Sequence, residues 1–170
     1  MVLWYFWIYS VLGWAVERAF AAASRAEDRR RRCLLLLPLC PVYGLGMLAV
    51  LALPPMGDPA LVLWGGLAAT AVEYAFHWAG ERFLGVRFWD YATVPGNLRG
   101  RVCLPFSLAW GALAWAAVRF VQPWAAMLAA EIPAWLTYVC LLVFTADAVC
   151  SIRYLRVTGD LRGLRRALPF

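Results

Sequence analysis

The stretch PAWLTYVCLLVFTADAVC, residues 133–150, decides the fold class. It carries one side chain of the charged class, Asp147, near its end. As an α-helix rising 1.5 Å per residue it covers about 27 Å, close to the ~30 Å hydrocarbon core of a bilayer. Four more apolar runs appear when charges are taken as boundaries. They are about 2–23, interrupted by Glu17 and Arg18; about 33–53, opening CLLLLPLCPVYGLG; about 60–80, holding Glu73 and His77; and about 103–121. Composition agrees with the runs. Of 170 residues, 64% are hydrophobic and 15% charged, against about 25% charged in ordinary soluble domains. A soluble core cannot hide that much apolar surface, whereas lipid can cover it from outside. A soluble enzyme, a disulfide-rich secreted module and a disordered tail are excluded. The expected fold is all-α: a polytopic membrane bundle of five transmembrane helices in one domain, 1–152, followed by an arginine-rich tail, 153–170.

The charges then orient the bundle. All sixteen basic residues are arginine. Arg25, Arg29, Arg30, Arg31 and Arg32 lie between the first two runs, and Arg82, Arg87, Arg99 and Arg101 between the third and fourth. Arg153, Arg156, Arg162, Arg165 and Arg166 follow the fifth. The alternate loops, PPMGDP and QPWAAMLAAEIP, have none, and only Arg119 lies near that side. Cytoplasmic loops collect arginine, so the N-terminus is expected outside and the C-terminus inside, in a multi-pass protein of the cell membrane. The same arginines meet anionic lipid headgroups, which makes membrane lipids the expected partners and nucleic acid not one, despite a net charge of +6. Five cysteines without a CxxC pair give neither a disulfide framework nor a zinc site. A cleaved leader is not expected, because no positive charge precedes the first run and Glu17 and Arg18 interrupt it.

Ionisable groups inside spans are costly and are therefore candidates for function. Glu17 lies roughly 12 Å along its helix from Arg25, Glu73 roughly 13 Å from Arg82, and Asp147 roughly 9 Å from Arg153. Three carboxylates on three helices thus share a depth, as a polar cavity opening to the cytoplasm requires. His77 stands one turn beyond Glu73 on the same face. The carboxylate-bundle metal motif, with Glu and His three apart and repeated on a second helix, does not occur, and no metal or cofactor is expected. The structural alternative is plain for each acid: a pairing with arginine, or a partly wet position near the headgroups.

Two segments depart from simple spans. ERFLGVRFWDYATVPGNLRGRVCLP, 81–105, is too polar to cross and too aromatic to be a spacer. Phe88, Trp89 and Tyr91 suit the headgroup level, Pro95, Gly96 and Gly100 allow a tight return, and Asp90, Asn97, Arg99 and Arg101 offer polar contacts. An interfacial loop between helices 3 and 4 is expected, its guanidinium groups suited to phosphate or carboxylate. In the second run, Pro38 and Pro41 remove backbone donors, and Gly44 and Gly46 follow. These four are candidate helix-break positions, and a break at membrane depth needs protein or a water-lined cavity around it.

GWAVE at 13–17, CPVYGLG at 40–46, EY at 73–74, and WDY through NLRGRVCL to SLAWG at 89–111 resemble the Putative ABC-transporter type IV (CmpB-like) permease family of small bacterial membrane proteins. The resemblance covers about residues 5–120. The family's usual Asn-Arg-Gly and later Gly-Pro before CPVYG are replaced here by Arg31, Arg32 and Cys33 and by Leu37 and Pro38. It implies a permease subunit of the bacterial inner membrane. The chain has no phosphate-binding Gly-x-x-x-x-Gly-Lys loop, so a separate ATPase is implied, with 81–105 as its dock.

Three functions follow from these residues. The first is a permease, expected as a homo-oligomer, with Glu17, Glu73, His77 and Asp147 along a polar route. The second is an inner-leaflet lipid-binding protein or membrane-embedded enzyme, with Asp90 or Glu73 as acid or base and Arg99 and Arg101 on a lipid phosphate. The third is an assembly or regulatory subunit without chemistry of its own.

Overall fold

The computed structural model describes residues 1–24 and 33–166. The arginine-rich loop 25–32, the side chains of Arg162, Arg165 and Arg166, and residues 167–170 lie outside the described residues.

Helix α1, Val2–Ser24, runs unbroken through Glu17 and Arg18. Trp7, Tyr9 and Ser10 are buried, while Leu12, Val16 and Phe20 face outward. The second run is not a helix over 33–53. Residues 33–40 are extended and bent, and α2 is only Pro41–Leu51. The cause is proline chemistry. Pro38 pushes Leu37 out of helical conformation, and Pro41 is tolerated only in a first helical turn, where its missing N–H is not needed. Gly44 and Gly46, expected as break positions, lie inside α2 instead. A Cβ on Gly44 would press on the Phe6 carbonyl and the Ser10 hydroxyl, so this glycine lets α2 lie directly on α1. At Gly46 a Cβ would meet Ala69 of the next helix at an ordinary 3.8 Å.

Among the described residues, three helical stretches are long and apolar enough to cross a membrane: Asp58–Leu84, Leu104–Glu131 and Ala134–Thr158. The first joins α3, Asp58–Ala79, to a π-helical turn, Gly80–Leu84, which Gly85 ends in left-handed conformation at φ 67°. The second joins α4, Leu104–Ala116, through a π-helical turn, Ala117–Val121, to α5, Gln122–Glu131. Here the expectation of a loop at QPWAAMLAAEIP is corrected: most of it is α5. Pro123 does not stop the helix because it falls in the first turn after the wide one, where its missing donor is absorbed. The third is α6, Ala134–Thr158. It ends at Gly159, left-handed at φ 63°, whose N–H donates to the Leu155 carbonyl at 2.8 Å.

The arginine-rich end is likewise more than a tail. Helix α7, Leu161–Arg166, turns back so that Leu155, Leu161 and Leu164 bury against Val86, Phe88 and Trp89. The fold also holds one small β-element. Strands β1, Asn97–Leu98, and β2, Val102–Cys103, pair antiparallel just before α4. Helices α3 and α4 cross closely: a Cβ on Gly111 would stand 2.6 Å from the Val62 carbonyl.

Candidate functional site

With α1 packed on α2 and α4 packed on α3, a crevice is left between α1 and α4. Its larger part, about 460 Å³, is lined by apolar side chains including Leu12, Met47, Val50 and Ala117. Its smaller part, about 170 Å³, is lined by Glu17, Phe20, Tyr91 and Phe106. Val16, Tyr43, Trp110 and Leu113 belong to both parts and join them. Small residues such as Gly13, Ala15, Ala19 and Ala116 on the walls leave the space open. At the far end α1 reaches α5, where the Tyr9 hydroxyl donates to Gln122 Oε1 at 2.9 Å. The crevice is therefore apolar along most of its length and polar at the end nearest the 85–103 segment.

Hydrogen bonds shape the polar end. The Tyr43 hydroxyl donates to Glu17 Oε1 at 2.8 Å, and its ring lies 4.8 Å from that of Trp110. Trp110 Nε1 donates to Glu73 Oε2 at 2.8 Å, and the Tyr91 hydroxyl faces Glu73 Oε1 at 3.4 Å. Glu73 is fully buried. It stands behind the crevice wall and fixes the two aromatic residues that form it. Glu17, by contrast, lines the crevice itself.

The other expected pathway residues are elsewhere. Asp147 accepts the backbone N–H of Leu36 at 3.1 Å and of Leu37 at 2.9 Å, and the Ser151 hydroxyl at 2.8 Å. Its carboxylate supplies the acceptors that the extended segment 33–40 lacks in itself, and it does not line the crevice. Of the three carboxylates expected at one depth, Glu17 and Glu73 share a neighbourhood through Tyr43 and Trp110, and Asp147 does not. His77 is 1% exposed, and neither ring nitrogen has a hydrogen-bond partner among the described residues. Its ring packs on Trp89 at 4.9 Å. Among the described residues, no group of three or more His, Cys, Asp and Glu side chains is placed to hold a metal ion.

The 85–103 segment is a braced turn. Asn97 donates from Nδ2 to the carbonyls of Ala92, 3.1 Å, and Val94, 2.9 Å, while its Oδ1 accepts the Gly100 N–H at 3.1 Å. Asp90 accepts the Ala92 N–H at 2.8 Å, and Trp89 Nε1 donates to the Arg101 carbonyl at 2.8 Å. Arg101 donates to Glu81 Oε2 from Nε, 2.8 Å, and from Nη2, 2.7 Å, and to the Tyr74 hydroxyl from Nη1, 2.7 Å. The bond to Glu81 raises the Arg101 pKa above its ordinary value. This guanidinium ties the hairpin to α3 and is not directed at a phosphate. Arg99 sits at the turn tip with φ 55°, a left-handed conformation that non-glycine residues adopt only in tight turns. Arg87 pairs with Glu81 at 3.0 Å from an exposed position.

The family described as Putative ABC-transporter type IV matches residues 4–152. The chain belongs to that family. The match runs beyond the 5–120 covered by the recognised blocks and takes in most of α6. No curated protein and no solved structure matches the chain. The blocks that resemble the family supply residues of both parts of the crevice and of the braced turn beside it. GWAVE supplies Gly13 and Glu17, CPVYGLG supplies Tyr43 and Gly46, and EY supplies Glu73 and Tyr74. The longest block supplies Tyr91, Arg101 and Trp110. Tyr43, Trp110 and Glu81 were not singled out as site residues by sequence. The first two stand inside the quoted family blocks, which is the signal that points to them.

Proposed function

We propose that this member of the family is the membrane-spanning, substrate-handling subunit of a transporter, with the α1–α4 crevice as its substrate path. The observation that carries it is the crevice's polarity: Glu17 and Tyr43 at one end, and an apolar reach at the other. A binding path of ligand size, roughly 300–1,000 Å³, normally combines apolar walls with a few placed polar groups. The family description supports a transporter assignment, and with it a separate ATPase subunit.

In this reading the chain crosses the bacterial inner membrane five times, N-terminus outside, with α2 and the extended 33–40 segment together making the second crossing. The polar end of the crevice then faces the cytoplasm, and the braced 85–103 turn beside it is the ATPase dock. Trp135, Tyr138 and Leu142 on the outer face of α6 give lipid, or a second copy in a homo-oligomer, an apolar surface. Gentle extraction of the tagged protein followed by mass spectrometry of what co-purifies tests the reading. A stoichiometric ATPase is expected, and it should be lost when the exposed Arg87 and Arg99 are replaced together by alanine. Purification without any ATPase from cells that make the whole operating system would overturn it.

The lipid-binding alternative needs a different site from the one read in sequence. Arg101 is committed to Glu81 and Tyr74, so a phosphate grip there is not supported by the geometry. An enzyme using Asp90 or Glu73 as acid or base gains nothing either, since Asp90 closes its own turn and Glu73 is fully buried behind Trp110.

A further inference from the structure

The buried face of α3 changes character along its length. From Leu61 through Gly65, Gly66 and Ala69 it is apolar, and beyond them its buried residues are Glu73 and His77. Thr70 and Glu81 extend the polar file, so that positions 70, 73, 77 and 81 follow on one face at steps of three or four residues. Successive groups are thus about 5–6 Å apart along the axis. Glu73 lies about 16 Å along the helix from Leu84, half of a ~30 Å hydrocarbon core. A carboxylate at that depth exchanges protons with water only through groups that pass them on.

His77 is the group placed to do so. It is the only histidine in the chain. Its ring is 1% exposed, and neither nitrogen has a hydrogen-bond partner among the described residues. Two unmade bonds on one buried ring are costly, and a ring kept only as a structural contact would have at least one of them made. The charged groups that act on it are Glu81 on its own helix and Arg87, Asp90 and Arg101 on the braced turn, two of each sign. Glu81, at the outer end of the file, is tied to Arg101 and Arg87. Trp89 of the braced turn covers the His77 ring at 4.9 Å and is itself held by its bond to the Arg101 carbonyl at 2.8 Å.

We propose that α3 carries a proton path from the end beside the braced turn to Glu73, with His77 as the carrier and Trp89 as its cover. In the neutral ring one nitrogen holds a proton and the other a lone pair. A proton from water adds to the lone pair when Trp89 moves aside, and the imidazolium then releases its other proton to a Glu73 oxygen. The products are a neutral carboxylic acid and a neutral imidazole in its other tautomer, which resets when the ring turns over. Because the face beyond Thr70 is apolar, the proton is delivered to mid-depth and is not passed across. Its arrival turns the charge-assisted bonds from Trp110 and Tyr91 into ordinary ones, and both rings line the smaller part of the crevice. The path stands on α3 and the braced turn alone, whatever enters the crevice and whether or not an ATPase docks.

The test is time-resolved infrared spectroscopy of the full chain in lipid nanodiscs after an acid jump, following the carbonyl stretch of a protonated carboxylic acid. A band should appear in wild type and be missing from Glu73→Gln. His77→Asn and His77→Gln keep a polar side chain that carries no proton. Each should slow the band by about 100-fold, the lower end of what a positioned proton-transfer group contributes. Trp89→Phe keeps an aromatic cover but loses the bond to the Arg101 carbonyl, so uptake should be about five-fold faster, the weight of one ordinary hydrogen bond. In wild type with isotope-labelled histidine and a histidine-free affinity tag, nuclear magnetic resonance of the one ring should show both neutral tautomers in exchange. Circular dichroism checks that each variant is folded, and the wild-type spectra need no variant. Absence of a Glu73 band at every pH where the chain is folded overturns the proposal, as does a single fixed tautomer of His77. An unchanged rate in a folded His77 variant removes the carrier, and an unchanged rate in folded Trp89→Phe removes entry from this end; either overturns it equally.

Discussion

Asp147→Ala should release the extended segment that precedes α2. Asp147 accepts two backbone N–H groups, from Leu36 and Leu37, and nothing else in the segment replaces it as their acceptor. A hydrogen bond to an ionised carboxylate contributes about 1.5–3 kcal/mol. Leu36 and Leu37 are half-buried, so the lower value applies and the pair amounts to about 3 kcal/mol. Because 1.4 kcal/mol is ten-fold, opening of the segment should become about 100-fold more frequent. Asp147→Asn keeps one acceptor oxygen and should give about ten-fold. The reporters are Cys33 and Cys40, both buried at the ends of the segment. In a chain with Cys140 and Cys150 replaced by alanine, the rate of thiol alkylation is read at each site by peptide mass spectrometry. Cys103, buried in the β-hairpin, is the internal control and should not change. The reasoning is refuted if Cys40 in a folded Asp147→Ala protein reacts within about two-fold of wild type, since local opening would then not depend on the carboxylate.

Other outcomes follow from single contacts. Gly111→Ala places a methyl against the Val62 carbonyl and should destabilise the α3–α4 crossing by about 1–3 kcal/mol, whereas Gly57→Ala, with open space around it, should stay within about 0.5 kcal/mol. Thermal unfolding in detergent compares them, and equal midpoints would count against the crossing. Asn97→Asp keeps the acceptor for the Gly100 N–H but loses both donors, so hydrogen exchange at Gly100 should stay slow in Asn97→Asp and become fast in Asn97→Ala. Arg101→Lys should fail to restore the hairpin, because an ammonium does not reproduce the fork that spans Glu81 and Tyr74. Tryptic cleavage after Arg99 should rise several-fold, and a lysine variant as resistant as wild type would contradict the clamp. The raised Arg101 pKa means its contribution is fully present below the ordinary arginine value and is lost only as pH rises through the folded value, so the protection it gives against cleavage should not change from roughly pH 6 to 9.

The long apolar helices were legible because lipid imposes a length on apolar runs and arginine marks their ends. All but one residue of each of the runs 60–80 and 133–150 sit within α3 and α6, although α6 continues to Thr158 because Leu155 has a buried place to go. Where sequence and structure part, the missing information is long-range. CLLLLPLCP reads as membrane-length hydrocarbon, and its prolines signal irregularity, but the acceptor that makes an extended backbone tolerable is Asp147 on another helix. QPWAAMLAAEIP reads as a loop because it has two prolines and no arginine. It is helical because a wide turn places Pro123 harmlessly. Glu73 was legible as costly and buried. Its work on Trp110 and Tyr91 was not, since those partners lie 37 and 18 residues away. The turn residues at 96–100 announced a tight return, but nothing in composition says that Arg101 holds it to α3 and leaves Arg99 at the tip.

The tie between Asp147 and the Leu36–Leu37 backbone also sets an order in time. The acceptor is synthesised 111 residues after Leu36. At about 5–20 residues per second, the two amides wait roughly 5–20 s on the ribosome before their partner exists. During that interval residues 33–40 cannot hold their final shape, so the second segment must be sheltered by the insertion machinery or by water until α6 emerges. The N-terminal half of this protein is therefore finished only by its last long helix, and a ribosome stalled before residue 147 should leave Cys33 and Cys40 open to thiol reagents.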